Sequence, residues 1–498
     1  MTSLRLENVA FAYTDRAPLF VHATCHLTSS WTGLVGANGA GKSTLLDLFA
    51  LKLCPNDGQL IYEPKHPRIA LCSQSVETLT PELETFAATT TPLARRLVGQ
   101  LQLEATMLRR WSSLSPGERK RWQMGAALAA EPDVLLLDEP SNHADSSAKT
   151  WLFEVLQRFT GLGVLVSHDR QLLTCLTRAT LRLHAGELRL WPGPYPAAKL
   201  LWEQTLDQAQ QARTVARQRQ QRGRQQLANA RREQQAVVAS QSARKRMKSK
   251  HDHDARSLGA KTLASWADAR IGQQVRTLRQ REKRLAAAIP GMEADKTLGR
   301  SVFVNYQRAP NPFLLSLEQQ TLSPGGQPLL GPLTVAVKRG SRIWLCGPNG
   351  AGKTTLIEAL LDHAHIPKTR LLYLPQELSD AERRQTLDDV RALPAEVRGQ
   401  VLACVAALGV DPGQLLASAQ PSPGEARKLR LALGLGQLAW ALVLDEPTNH
   451  LDLPSIERLE VALAAYPGAL LIATHDNAFA QSCTNERWLI HGHEVRRT

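Results

Sequence analysis

No two of the seven cysteines stand as a C-x-x-C pair. Cys25, Cys54, Cys72, Cys175, Cys346, Cys404 and Cys483 are scattered singly, which argues against structural zinc and iron–sulfur frameworks and fits thiols kept reduced. No stretch reaches the roughly 18 uninterrupted apolar residues that a membrane span needs, so a membrane function would require a second chain. The opening segment, MTSLRLENVAFAY, lacks the basic start and apolar run of a secretory signal, and no export is expected. Acidic residues are in deficit: 46 Asp and Glu face 60 Lys and Arg, for a formal charge of +14. An excess of that size points to a polyanionic partner, either nucleic acid or an acidic membrane surface.

What the sequence does contain is a copy of itself. GANGAGKST at 36–44 returns as GPNGAGKTT at 347–355, LLLDEPSNHAD at 135–145 as LVLDEPTNHLD at 442–452, and VLVSHD at 164–169 as LIATHD at 471–476. The spacings repeat too. Ser115 precedes Asp138 by 23 positions, as Ser422 precedes Asp445, and Glu139 precedes His168 by 29, as Glu446 precedes His475. Two copies of one domain, at 1–196 and 311–498, account for this. Short apolar runs such as LRLENVAF, GLVGA, VLLLD and GVLVS alternate with longer helical stretches, which predicts an α/β fold whose strands feed phosphate loops.

Between the copies, at 197–310, the composition changes. Residues 201–290 hold 20 Lys and Arg against 7 Asp and Glu, so nearly all of the chain's surplus charge lies there. No proline interrupts 197–289, and a long helix, polar on all sides, is predicted. A second helix at about 262–288, carrying Leu263, Trp266, Ile271, Val275, Leu278 and Leu285, would pair with it as an antiparallel hairpin. The tip, about 241–261, holds Arg244, Lys245, Arg246, Lys248 and Lys250, the candidate RNA-contacting residues; a solvated charged face is the plainer alternative.

The repeated G-x-x-x-x-G-K-[ST] is a phosphate cradle, in which glycines let backbone N–H groups converge on phosphate oxygens. In the first copy Gly36, Asn38, Gly39, Gly41 and Thr44 belong to it, Lys42 is expected to reach the terminal phosphates, and the Ser43 hydroxyl to bind magnesium. Gly347, Asn349, Gly350, Gly352, Lys353, Thr354 and Thr355 are the counterparts in the second. Asp138 and Asp445, each ending a buried strand, suit a magnesium water shell. Glu139 and Glu446, one residue on, suit polarisation of an attacking water, since phosphoryl transfer needs mainly positioning and charge neutralisation.

A phosphate loop, an S-x-G-E stretch, D-E-P and a final S/T-H-D, in that order and twice over, resemble ATP-binding cassette proteins. The resemblance implies roles for Gln74 and Gln376 as sensors of γ-phosphate and magnesium, for His168 and His475 as switch histidines, and for Tyr13 as an aromatic stacked on adenine; the second copy has no obvious equivalent of Tyr13. It also implies head-to-tail pairing, with Lys42 facing Ser422 and Gly424, and Lys353 facing Ser115 and Gly117. The signatures LSPGE and PSPGE depart from LSGGE, since Pro116 and Pro423 each remove a backbone donor. DEPTNHLD, two cassettes in one chain, a charged linker and no membrane segment together resemble the ABC-F family across essentially the whole chain. That resemblance implies a cytoplasmic, monomeric, magnesium-dependent ATPase with two P-loop domains and a helical-hairpin linker. The linker would approach rRNA and peptidyl-tRNA on the ribosome, in translation or in antibiotic resistance. The family's usual inserted arm in the first cassette is not expected, as only 41 positions separate Gln74 from Ser115. The alternative is the ATP-binding subunit of a transporter with a separate membrane partner.

Overall fold

A computed structural model describes residues 2–14, 18–141, 146–240, 273, 276–278, 303 and 306–497. The chain divides into two compact units: Met1–Ala198 together with Asp295–Thr498, and Lys199–Ala294.

The first copy opens with an antiparallel sheet of β1 (Ser3–Phe11), β2 (Phe20–Thr28) and β4 (Asp57–Glu63), with β1 in the centre. Buried and exposed residues alternate along β2, as a sheet covered on one face requires. The larger sheet is built from β3 (Trp31–Gly36), β5 (Ile69–Cys72), β6 (Val134–Asp138), β7 (Leu162–Val166), β8 (Ala179–His184) and β9 (Glu187–Pro192), in the order β5-β6-β7-β3-β8-β9. All but β9 run parallel. Every residue of β3, β6 and β7 is buried. That is why these strands read as unbroken apolar runs: both sheet faces are covered.

The second copy repeats this plan. An antiparallel pair, β10 (Phe313–Leu322) and β11 (Leu330–Lys338), accompanies a six-stranded sheet of β12 (Arg342–Cys346), β13 (Leu371–Leu374), β14 (Ala441–Asp445), β15 (Ala469–Ala473), β16 (Glu486–His491) and β17 (Glu494–Arg497). Its order, β13-β14-β15-β12-β16-β17, matches the first sheet strand for strand. Among the described residues the second copy has no counterpart of β4.

Helices flank both sheets. In the first copy these are α1 (Lys42–Phe49), α2 (Pro81–Ala88), α3 (Pro92–Gln100), α4 (Pro116–Ala129), α5 (Ser146–Leu156) and α6 (Arg170–Leu176). Helices α2 and α3, with a 3₁₀ segment at Ala105–Ser113, fill the interval between β5 and α4. Phe86 of α2 meets Trp122 of α4 edge-on, ring centroids 5.8 Å apart, in a core separate from the one between sheet and α1. After β9 comes α7 (Tyr195–Ser240), 46 residues and so about 69 Å long. The second copy carries α8 (Lys353–Asp362), α9 (Asp380–Ala392), α10 (Ala395–Ala407), α11 (Pro412–Ala417), α12 (Pro423–Gly436), α13 (Leu453–Ala465) and α14 (Asn477–Cys483).

The described part of Lys199–Ala294 is helical: α7 to Ser240, then 273 and 276–278. Most α7 side chains from Leu200 to Arg232 are exposed, in line with a helix polar on nearly all sides, although Trp202, Leu227 and Ala230 are buried. Leu278 is half-buried. The tip residues Arg244, Lys245, Arg246, Lys248 and Lys250, and Leu263, Trp266, Ile271, Val275 and Leu285 of the expected second helix, lie outside the described residues.

Candidate functional site

In each copy three parallel strands deliver the candidate residues to one edge of the sheet, as expected for ligand sites at the carboxyl ends of strands in α/β folds. The loop after β3 carries Gly36 to Gly41 and runs into α1. The loop after β12 carries Gly347 to Gly352 and runs into α8. Gly39 and Gly350 sit at φ +76°, Gly41 at +101° and Gly352 at +94°, a left-handed region that side chains disfavour. A Cβ added at Gly39 or Gly350 would meet nothing within 4 Å, so it is the backbone conformation and not crowding that favours glycine there. Lys42 Nζ donates to the carbonyls of Gly36 (2.9 Å) and Ala37 (3.0 Å), folding back over its own loop. Lys353 Nζ does the same to Gly347 (2.9 Å) and Pro348 (3.2 Å), and also lies 3.1 Å from His475 Nε2.

The Ser43 hydroxyl donates to Asp138 Oδ2 at 2.7 Å, and Thr354 Oγ1 to Asp445 Oδ2 at 2.8 Å. A hydroxyl beside a carboxylate is a hard oxygen donor set that fits Mg²⁺, a cation that takes few protein ligands and keeps its waters. No cluster of three or more His, Cys, Asp or Glu suited to a metal occurs among the described residues. Gln74 and Gln376 are exposed just after β5 and β13. Tyr13, 42% exposed, places its hydroxyl 3.1 Å from Thr44 Oγ1, over the start of α1.

Glu139 and Glu446 are 4% and 8% exposed. Both have positive φ, +48° and +47°, a conformation that costs a side-chain-bearing residue about 1–3 kcal/mol. It is held by backbone bonds to the neighbouring strand: Glu139 N–H donates to Val166 O at 2.9 Å, and Glu446 N–H to Ala473 O at 2.8 Å. Burial pushes each carboxyl up to about 7, against the pull of Lys42 on the one and Lys353 on the other. The His168 backbone N–H donates to Glu139 Oε2 at 3.2 Å, and its Nε2 lies 3.0 Å from Oε1. Burial, with Lys42 nearby, brings His168 down to about 3, so its ring is neutral. In the second copy the His475 N–H reaches Glu446 Oε2 at 3.4 Å, while its Nε2 lies 2.9 Å from Asn349 Oδ1.

The signatures cap helices. Ser115 and Ser422 are the N-caps of α4 and α12, and Glu118 and Glu425 close reciprocal capping boxes with them; such a cap is worth about 1 kcal/mol. Pro116 and Pro423 occupy the first helical position, where the N–H has no intrahelical partner, so the departure from LSGGE removes no helix bond.

One cavity of about 1240 Å³ brings Ser115 and Gly117 of the first copy together with Lys353, Thr354, Asp445 and Glu446 of the second. Asn349, Gly350, Gly352, Thr355, Gln376 and His475 line it as well. Across the opposite half of the interface, the contact to the first phosphate loop comes from the loop before α13. The Asn38 backbone N–H donates to Asp452 Oδ2 at 2.7 Å, and its side-chain amide to His450 O at 2.9 Å. Burial opposes ionisation of Asp452, yet Lys428, Ser455 and Asn38 hold its carboxyl below the usual range. Ser422 and Gly424 start α12 on the same copy as that loop.

Several residues here escaped the sequence reading. Leu329 lines the large cavity beside Gly352, where the second copy lacks an aromatic like Tyr13. Arg170 forms a two-pronged bond to Glu460 at 2.8 and 3.0 Å, and Tyr195 Oη donates to Glu457 at 2.7 Å; both join the two copies. Their copy-to-copy counterparts are not charged partners (Asn477 stands where Arg170 would), so the repeat gave no signal. Lys120 and Arg427, five residues after Ser115 and Ser422, are buried cations. The repeat alignment does reveal these, as a basic residue shared by both copies.

A family model described as ABC transporter matches residues 25–142 and 330–406. The chain is 28% identical to the ribosome protection protein VmlR of Bacillus subtilis, over 99% of this chain and 87% of that protein. It is also 28% identical to the erythromycin resistance ATP-binding protein MsrA of Staphylococcus epidermidis, over 93% of this chain and 92% of that one. Among solved structures, an RNase-L inhibitor shares the fold, with a TM-score of 0.57 and 18% identity over 99% of this chain and 90% of that one. No helix among the described residues is long and apolar enough to cross a membrane.

Proposed function

We propose that this chain, a member of the ABC-F family of ATP-binding cassette proteins, hydrolyses ATP at two composite sites between its cassettes and uses their closure to control binding to the ribosome. The observation that carries the proposal is the 1240 Å³ cavity, in which the signature of one cassette faces the phosphate loop, strand-end Asp and adjacent Glu of the other.

In this scheme the backbone N–H groups after Gly39 and Gly350, at the starts of α1 and α8, receive phosphate oxygens with help from the helix dipole. Lys42 and Lys353 leave their loop carbonyls to meet the terminal phosphates. Ser43 with Asp138, and Thr354 with Asp445, hold Mg²⁺, with Gln74 and Gln376 beside them; the metal's part is to neutralise phosphate charge. Glu139 and Glu446 orient the attacking water, and burial has already raised their basicity toward neutrality. His168, its ring kept neutral by burial, and His475 in the second copy fix those carboxylates through their backbone N–H groups. Ser115 with Gly117, and Ser422 with Gly424, complete each site from the opposite cassette.

The ribosome assignment draws support from the likeness to the ribosome protection protein VmlR and from the charge map. The surplus of 13 positive charges over 201–290 suits rRNA and peptidyl-tRNA, whose backbones bind cations by counterion release. Arg244, Lys245, Arg246, Lys248 and Lys250 are the proposed contacts, and the protein would act in the cytoplasm as a monomer.

The test is co-sedimentation. A Glu139→Gln, Glu446→Gln double variant with MgATP should pellet with ribosomes at low salt and release steeply as salt rises. Deleting 241–261 should abolish pelleting while ATPase activity of the otherwise unaltered chain survives. A double variant that stays in the supernatant with saturating MgATP refutes the ribosome assignment and favours a transporter subunit.

A further inference from the structure

Lys120 and Arg427 occupy equivalent positions, and neither has a part in the scheme above. Each projects from the second turn of the signature helix into the interior of its own cassette, 8% and 1% exposed. Lys120 Nζ donates to the carbonyl of Ser73, the residue before Gln74, and to the carbonyl of Asp138 at 2.9 Å. Arg427 makes the fuller set. Its Nη1 donates to Pro375 O (3.1 Å) and Gln376 O (2.7 Å), and its Nη2 to Asp445 O (3.2 Å) and Glu446 O (2.6 Å).

Burying a cation is costly unless it is fully bonded, and an apolar side chain would fill this space without that cost. What the cation provides is connection. Its carbonyl partners belong to the glutamine loop and to the strand end that bears the magnesium and water-orienting carboxylates of the same cassette. The helix it stands on begins with the signature, and Ser115 and Gly117 of the first signature line one cavity with the other cassette's phosphate loop. In the second copy the guanidinium also grips the carbonyl of Glu446, whose backbone is at positive φ. A helix turn is stiff, so movement of Ser115 or Ser422 at the helix start is carried to these carbonyls, and the reverse.

Building on the two-site reading, we propose that Lys120 and Arg427 are positioning residues that couple the two ATP sites: each ties the signature serving one nucleotide to the carboxylates acting on the other. The side-chain chemistry also differs between copies, as an ammonium holds two carbonyls where a guanidinium holds four, so the coupling through the second cassette is the stiffer.

The experiment uses purified full-length chain without ribosomes, so that the ribosome assignment does not enter. Lys120→Met and Lys120→Arg are each placed in two backgrounds, Glu446→Gln and Glu139→Gln, and ATPase kcat and KM are measured with thermal midpoints. In the first background the working site uses the carboxylates above Lys120; in the second it uses the signature ahead of it. Lys120→Met should lower kcat about tenfold in both, with KM within about twofold, since a displacement of about 1 Å costs rate more than binding. Lys120→Arg, the side chain already present in the sister cassette, should restore kcat to within about twofold. Loss confined to the Glu446→Gln background overturns the coupling, and so does a loss that Lys120→Arg fails to restore. A parent background that is itself silent refutes independent hydrolysis at two sites. Coupling is then read from dissociation of a fluorescent ATP analogue from the Glu139→Gln, Glu446→Gln variant: acceleration of at least about fivefold by Lys120→Met supports it, and an unchanged rate overturns it.

Discussion

Replacing Glu139 by glutamine should stabilise the metal-free, nucleotide-free protein while removing the carboxylate proposed to orient water. The carboxyl is 4% exposed, and burial moves it from an ordinary value of 4.5 up to about 7. A folded-state value above the unfolded one means that the native state binds the extra proton. Stability from this group is therefore complete below about pH 4.5, declines as pH rises, and is gone above about pH 7. At 1.36 kcal/mol for each tenfold change in proton affinity, ionisation at pH 8 costs the fold roughly 3 kcal/mol. Glutamine has the same shape and no charge to desolvate. Its carbonyl can keep the bond from the His168 N–H, and its amide can donate to His168 Nε2, which lies 3.0 Å from Oε1 in a neutral ring. A net gain of about 2–3 kcal/mol at pH 8 follows, equivalent to a rise of roughly 1 M in the urea midpoint. The assay is urea unfolding of Glu139→Gln and the parent in EDTA at pH 5 and pH 8, followed by tryptophan fluorescence. The gain should be large at pH 8 and small at pH 5. No gain at pH 8, or the same gain at both, refutes the argument that desolvation governs this carboxyl.

Two further outcomes are expected. The two-pronged Arg170–Glu460 pair, with side chains 20% and 15% exposed, should show a coupling of about 1–3 kcal/mol in a double-mutant cycle of Arg170→Ala and Glu460→Ala read by urea unfolding; a coupling near zero would make it an incidental surface contact. Ser43→Ala and Thr354→Ala should each weaken the magnesium-dependent part of ATP binding by about tenfold, seen by titration with and without Mg²⁺, while metal-free binding stays unchanged.

Much of the site was legible because its chemistry is local. The glycines at Gly39, Gly41, Gly350 and Gly352 are required by backbone geometry within one loop. Ser43 follows from the phosphate-loop motif, and Asp138 from the end of a strand whose apolar run marks burial on both faces. The capping role of Glu118 and Glu425 could have been read from S-x-x-E, since a capping box spans only four residues, yet the signature pattern drew attention to the serine and glycine alone. The expectation for Tyr13 comes from a family likeness, and the same route had nothing to offer for Leu329, which reaches its cavity from a loop of unrelated sequence.

By itself the sequence determined the two-fold repeat, the strand-to-phosphate-loop logic and the placement of nearly all surplus charge between the copies, because periodicity and motif spacing are properties of neighbouring residues. Only the tertiary structure decided that Asp452 reaches Asn38, that Arg170 binds Glu460, and that Lys120 and Arg427 turn inward to backbone carbonyls. Those contacts join residues up to 414 positions apart. The Asp452 and Arg170 partners are fixed by how the two cassettes meet, and those of Lys120 and Arg427 by how the signature helix packs on its own cassette; backbone carbonyls are common to every residue, so no side-chain pattern along the chain can announce them.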